Sequence, residues 1–124
     1  MSEREINIKA GQVTVSAALN ETDTAAAIWD ALPIEASANT WGDEIYFGIP
    51  VSAGDEIGQE IVELGDLGYW PPGNAFCMFF GPTPMSRGDE IRPASPVTVI
   101  GRVHGDPTVL KRVGSGAPVQ IERV

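Results

Sequence analysis

The feature that most constrains this chain is its punctuation. Apolar runs are short, and Gly, Pro and Asp turns separate them, so the dominant local pattern is that of short strands. Val13, Val15, Ala17 and Leu19 alternate with Thr14, Ser16 and Ala18, the period of a half-buried strand. Glu5 to Lys9 alternates in the same way, and Ala10-Gly11-Gln12 can turn the two segments into a hairpin. Ile45 to Ile49, Ile61 to Leu64, Leu67 to Trp70, Phe76 to Phe80, Val97 to Val103 and Val119 to Val124 are further strands by their β-branched and aromatic content.

Two segments read as helices. Thr22 caps the first, with Ala25, Ile28, Trp29 and Leu32 at helical spacing and Pro33 ending it. Asp106-Pro107 opens the second, and Val109, Leu110 and Val113 form its apolar face. Lys111 and Arg112 suit the negative end of its dipole, and Gly114 closes it. About eight strands and two short helices predict a mainly β fold, a closed barrel that hides its strand edges. At 124 residues, and with no Pro/Ser-rich linker, residues 1–124 are expected to form a single domain. Gly-Asp-Glu-Ile occurs at Gly42, Gly54 and Gly88; the unequal intervals make it a recurring turn and strand entry, not a repeat.

Charge and cysteine content exclude several classes. The net charge is −9. Residues 1–66 hold 13 acids and 2 bases, whereas residues 67–124 hold 4 acids and 6 bases. No nucleic-acid partner and no membrane surface is expected, because both are anionic. The start lacks the apolar core of a signal peptide, and no apolar run is long enough to span a bilayer, so a cytoplasmic location is expected. In that setting Asn20-Glu21-Thr22 reads as a chance sequon.

Catalytic sets are sparse. One His and one Cys make no zinc site, so no metal and no cofactor is expected. Cys77 sits in an apolar run and reads as a buried, inert thiol. His104 reads as an exposed loop residue. Asp43 is expected in a turn. Glu44 is a candidate acid or base should it point into a cleft, because pocket carboxyls can be tuned for proton transfer. The densest aromatic and proline stretches are 39–47, 68–73 and 79–85. Single rings in a small barrel are usually core, yet several rings beside proline turns can wall a groove. Trp41, Tyr46, Trp70, Phe80, Thr83 and Met85 are the candidate ligand-binding residues.

Residues 39–47, 65–73 and 79–86, with Ile91-Arg92-Pro93-Ala94-Ser95-Pro96-Val97 and Val99-Ile100-Gly101, appear in an order that resembles the small prokaryotic cyclophilin-like proteins of unknown function. The resemblance covers nearly the whole chain and implies a closed cyclophilin-type barrel. Cyclophilins polarise a prolyl peptide on the outer barrel face with an arginine and a glutamine. The strand similar to the arginine's is Ile45 to Pro50, which holds no arginine; the glutamine's resembles Ala75 to Cys77, which holds no glutamine. The cyclosporin-binding tryptophan falls near Met85. Prolyl isomerisation has a barrier near 20 kcal/mol, and losing one donor to the twisted amide costs about 3–4 kcal/mol. Arg87 and Arg92 lie near the matching region, with Arg92 the candidate to substitute. The first expectation is therefore a binding module for a peptide or small molecule. The alternatives are a peptidyl-prolyl isomerase with a non-standard site, and another enzyme using Glu44 or Asp43.

Overall fold

The computed structural model describes residues 4–53, 56 and 58–124. Strands β1 (Arg4–Ala10) and β2 (Val13–Leu19) form the expected hairpin, paired from Arg4 with Leu19 to Ala10 with Val13. Gly11 takes φ +59° at the first position of its two-residue turn, where a side chain would be strained. The remaining strands are β3 (Ile34–Ser37), β4 (Asn39–Thr40), β5 (Glu44–Gly48), β6 (Asp66–Trp70), β7 (Ala75–Phe79), β8 (Thr98–Val103) and β9 (Pro118–Arg123). They hydrogen-bond in the order β3-β9-β1-β2-β8-β6-β7-β5-β4, and the pairings are antiparallel.

The two ends of this sheet, β3 and β4, are consecutive in the chain and separated only by Ala38. One buried residue therefore turns a nine-stranded sheet into a nearly closed barrel. Hydrogen bonds from Ala38 N to Ala117 O (2.8 Å) and from Gly116 N to Ala38 O (2.7 Å) hold that corner.

The strand count is nine where about eight were expected. β3 and β4 are additional, and Ile61 to Leu64 is not a strand. Only Val62 pairs there, in a single bridge to Ile91, while Ile61 and Leu64 are exposed. The segment lies across the outer face of the barrel and buries Val62 against it, so sheet pairing has no role for its neighbours.

Helix α1 (Asp23–Ala31) starts at Thr22, whose Oγ1 accepts from Ala25 N (3.1 Å), and buries Ala25 and Ile28 in the core. Asn20 of the sequon is engaged: its amide donates to Val99 O (2.8 Å) and its oxygen accepts from Thr22. The second helix is a 3-10 helix, Pro107–Arg112, capped by Asp106 Oδ1 accepting from Thr108 N (3.0 Å). A further 3-10 turn, Pro71–Gly73, follows β6. Gly42 and Gly88 sit in turns at φ +61° and +65°, as the tetrapeptide pattern predicts; most of its Gly54 copy lies outside the described residues. No helix among the described residues is long and apolar enough to cross a membrane.

Strand alternation sorts the apolar residues into two clusters. Ile45, Phe47, Leu67, Tyr69, Phe76 and Met78 point inward, with Phe47 stacked on Phe76 at 5.4 Å. The intervening Ala75, Cys77 and Phe79 point outward and meet Val62, Ile91 and Val97. β7 is thus buried on both faces. The outer cluster, covered in part by the 80–97 segment, is where a cavity opens.

Candidate functional site

β5, β7 and β6 lie side by side, with Tyr46 opposite Cys77 and Cys77 opposite Gly68. The outward residues of β5 are Glu44 and Tyr46, and Trp70 ends β6 on the same side. The missing side chain at Gly68 matters here. A Cβ would lie 3.0 Å from Val97 Cγ2 and 3.2 Å from Phe79 Cε2, so glycine lets these groups close over the strand without being pushed back.

The resulting cavity has a volume of about 240 Å³. Its deepest residues are Cys77, Glu44 and Val97, and its partly exposed walls are Trp41, Tyr46 and Trp70. Pro93 and Ala94 of the covering segment complete it. Trp41 and Glu44 are locked together by a tight turn: Trp41 N donates to Glu44 O (2.9 Å) and Glu44 N to Trp41 O (3.2 Å). Gly42 within that turn packs so closely on Pro84 that a Cβ would lie 2.7 Å from its ring. Trp70 is fixed from the other side, its indole N–H donating to Ser95 Oγ (2.6 Å).

Glu44 is the unusual member. Its side chain lies in an apolar cavity, the residue is only 6% exposed, and its Oε1 has no hydrogen-bond partner among the described residues. Burial pushes its carboxyl up to about 7, opposed only in part by the neighbouring Cys77 thiol. Cys77 is itself buried and held well above its usual range, first by burial and then by Glu44. Such a thiol is a poor nucleophile. Asp43 faces away from the cavity: it packs on Gly81 and lies 3.9 Å from Lys111 Nζ.

The candidate residues fall into three places. Glu44, Trp41, Tyr46 and Trp70 line one cavity. Met85 (48% exposed) and Arg92 line a neighbouring groove across the Pro93–Ala94 ridge, so they are not part of that cavity. Arg92 is engaged there by Glu90 at 2.7 Å and Glu60 at 3.7 Å. Phe80 and Thr83 line neither. Phe80 continues the β7 alternation inward and is core. Thr83 is a loop clamp: its hydroxyl donates to Arg92 O and accepts from Met85 N. Ser86 Oγ completes the clamp by accepting from Thr83 N and Arg92 N. His104 is exposed as expected, 2.9 Å from Glu5. Cys77, Pro93, Ala94 and Val97 line the cavity without having been sequence candidates. Cys77 was legible only through phase, as the residue between inward Phe76 and Met78.

The outward positions of β5 and β7 carry no guanidinium and no carboxamide. Among the described residues, no cluster of three His, Cys, Asp or Glu is arranged to hold a metal ion.

The model of the cyclophilin-like family matches residues 4–122. The chain belongs to the cyclophilin-like family. A similar chain of known structure is the hypothetical protein AF2241 from Archaeoglobus fulgidus, solved in solution. It is 44% identical with a TM-score of 0.84, over 98% of this cyclophilin-like chain and 95% of its own. McbB, solved in complex with tryptophan, is 16% identical with a TM-score of 0.69. The match covers 95% of this chain but 44% of McbB, and it is a likeness of fold. A comparison with curated proteins found no match.

Proposed function

We propose that this cyclophilin-like barrel is a binding module that holds a small molecule, or a single peptide side chain, in the cavity over Cys77. One observation carries the reading: Glu44 lines an apolar cavity, and its buried carboxyl has an oxygen with no partner among the described residues. Native proteins leave few buried polar atoms unpaired, because each costs roughly 1–3 kcal/mol. A ligand that supplies the missing donor recovers that cost. The cavity is smaller than the roughly 300–1,000 Å³ typical of drug-sized ligands, which points to one ring or a short branched chain.

Prolyl isomerisation is not part of this reading. The twisted amide needs a positioned donor, and Arg92, the cation nearest in the covering segment, is tied to Glu90 outside the cavity. A prolyl-peptide isomerisation assay is expected to show no acceleration over buffer. Binding is tested by NMR with a fragment library. Hits are expected to shift the indole signals of Trp41 and Trp70 together with the amides of Tyr46 and Cys77. Fragments that bind only elsewhere, or not at all, refute the reading.

A further inference from the structure

We infer, resting on the cavity being a ligand site, that its ligand is a small organic cation: an ammonium that pairs with Glu44 while Trp41, Tyr46 and Trp70 enclose its apolar part. Three observations converge on this class. The cavity holds an acid and no base. Of its lining residues only Glu44, Cys77 and Tyr46 can carry charge, and each would be neutral or negative. Of the cations on neighbouring segments, Arg92 pairs with Glu90, Arg102 with Glu63 at 3.2 Å and Lys111 with Asp43, all outside it, and Arg87 of the covering segment is not among its lining residues. An anionic ligand would find no counter-charge in the lining, whereas an ammonium pairs by charge and hydrogen bond with the Glu44 carboxylate, whose Oε1 has no partner among the described residues.

The walls point the same way. Indole and phenol rings attract cations through the negative charge of their faces, and three of them border this one carboxyl. The surroundings add to it. The chain carries −9 overall, with the acids concentrated in residues 1–66, which include β5 and its Glu44. Such a field raises the local concentration of cations, more so at low salt. A neutral apolar ligand would use the rings and waste the carboxyl.

The chemistry sets a proton signature. The empty cavity keeps Glu44 largely protonated below about pH 7. A cation binds the carboxylate, so below that pH one proton passes from Glu44 to the solvent for each ligand bound. The titratable groups facing Glu44 are Cys77 on β7 and Tyr46 on β5; Pro93, Ala94 and Val97 of the covering segment bring none. Affinity should therefore rise about tenfold per pH unit below about 7 and level off above it.

The test compares two cations with neutral partners of nearly the same shape: 3,3-dimethylbutan-1-amine with 3,3-dimethylbutan-1-ol, and benzylamine with benzyl alcohol. Each is titrated by tryptophan fluorescence at about pH 5.5 and about pH 8.5, with calorimetry in two buffers of different ionisation enthalpy to count protons. At the higher pH at least one cation should bind tenfold or more tighter than its partner. It should weaken roughly thirtyfold at the lower pH and release close to one proton there. Glu44→Gln should abolish both the preference and the pH dependence, whereas exposed Glu122→Gln should keep both. If the neutral partners bind as tightly as the cations at both pH values, the cation assignment is overturned and the pocket remains. If neither cation binds at millimolar concentration, the assignment is overturned; the pocket falls too only if the fragment screen is also empty.

Discussion

A carboxyl held in an apolar cavity couples folding to pH with a sign opposite to that of most acidic side chains. Glu44 has an ordinary carboxylate value when unfolded and about 7 when folded. Between those values the folded state binds the extra proton, so stability is greatest below the lower value and falls as pH rises through the higher one. The span corresponds to about 3 kcal/mol. Glu44→Gln keeps the shape and cannot ionise. Measured by urea denaturation, the variant should gain about 3 kcal/mol on the wild type between about pH 4 and about pH 8. A difference that does not change with pH would show that Glu44 is not buried as described. This residue was only half legible in the sequence. Its adjacency to Asp43 argued that the two face opposite sides, and they do. Which of them met a cavity depended on the turn that places Trp41 beside it and on a segment 50 residues downstream. Phe80 and Thr83 were misplaced for a related reason: an aromatic, proline-rich stretch advertises a packed surface but not which side of the sheet each side chain takes.

Among the elements, the hairpin and α1 were readable because their signals are local: period-two alternation for the hairpin, a capping threonine and helical spacing for the helix. β3 and β4 were not. Glu35, Ala36 and Ser37 have little strand preference, and their pairing comes from β9, more than 80 residues away. The start of α1 also hides a long-range part. Besides Thr22, the carboxylate of Glu56 accepts from Thr24 N (2.9 Å) and Asp23 N (3.2 Å). Glu56 is held below the usual carboxylate range first by the Thr24 hydroxyl, which donates to the same carboxylate (2.5 Å), and then by the two backbone donors. Its contribution is therefore present above the ordinary carboxylate value and lost as pH falls through the lowered one. Thr22→Ala should cost about 1 kcal/mol of stability. Glu56→Gln should speed amide exchange in the first turn of α1 at neutral pH, and the gap from wild type should narrow on acidification. Equal exchange at neutral pH would remove Glu56 from the cap.

The whole barrel is joined at two places of different character. One is covalent, the single residue Ala38 between β3 and β4. The other is the short pairing of β2 with β8, where only Ala17, Ala18 and Leu19 meet Val103, Arg102 and Gly101. That pairing links the four strands β3-β9-β1-β2 to the five strands β8-β6-β7-β5-β4 that carry the cavity. Gly101 sits at its end and beside the bulge where β6 shifts register against β8. A Cβ there would press into Ala18 O and come within 3.0 Å of Leu19 Cα. Both are backbone atoms that cannot swing aside. Gly101→Ala should therefore push β2 from β8 and lower stability by about 2–4 kcal/mol. Amide exchange should accelerate along β2 and β8 more than in β5 and β7. Gly114→Ala, where nothing lies within 4 Å of the added atom, should be neutral within about 0.5 kcal/mol. Equal effects of the two substitutions would mean that the close approach of β8 to β2 does not limit the barrel. A large effect at Gly101 with unchanged cavity binding would separate closure of the barrel from the site on its outer face, since Glu44, Cys77 and the three rings all belong to the strands and turns on the far side of that seam.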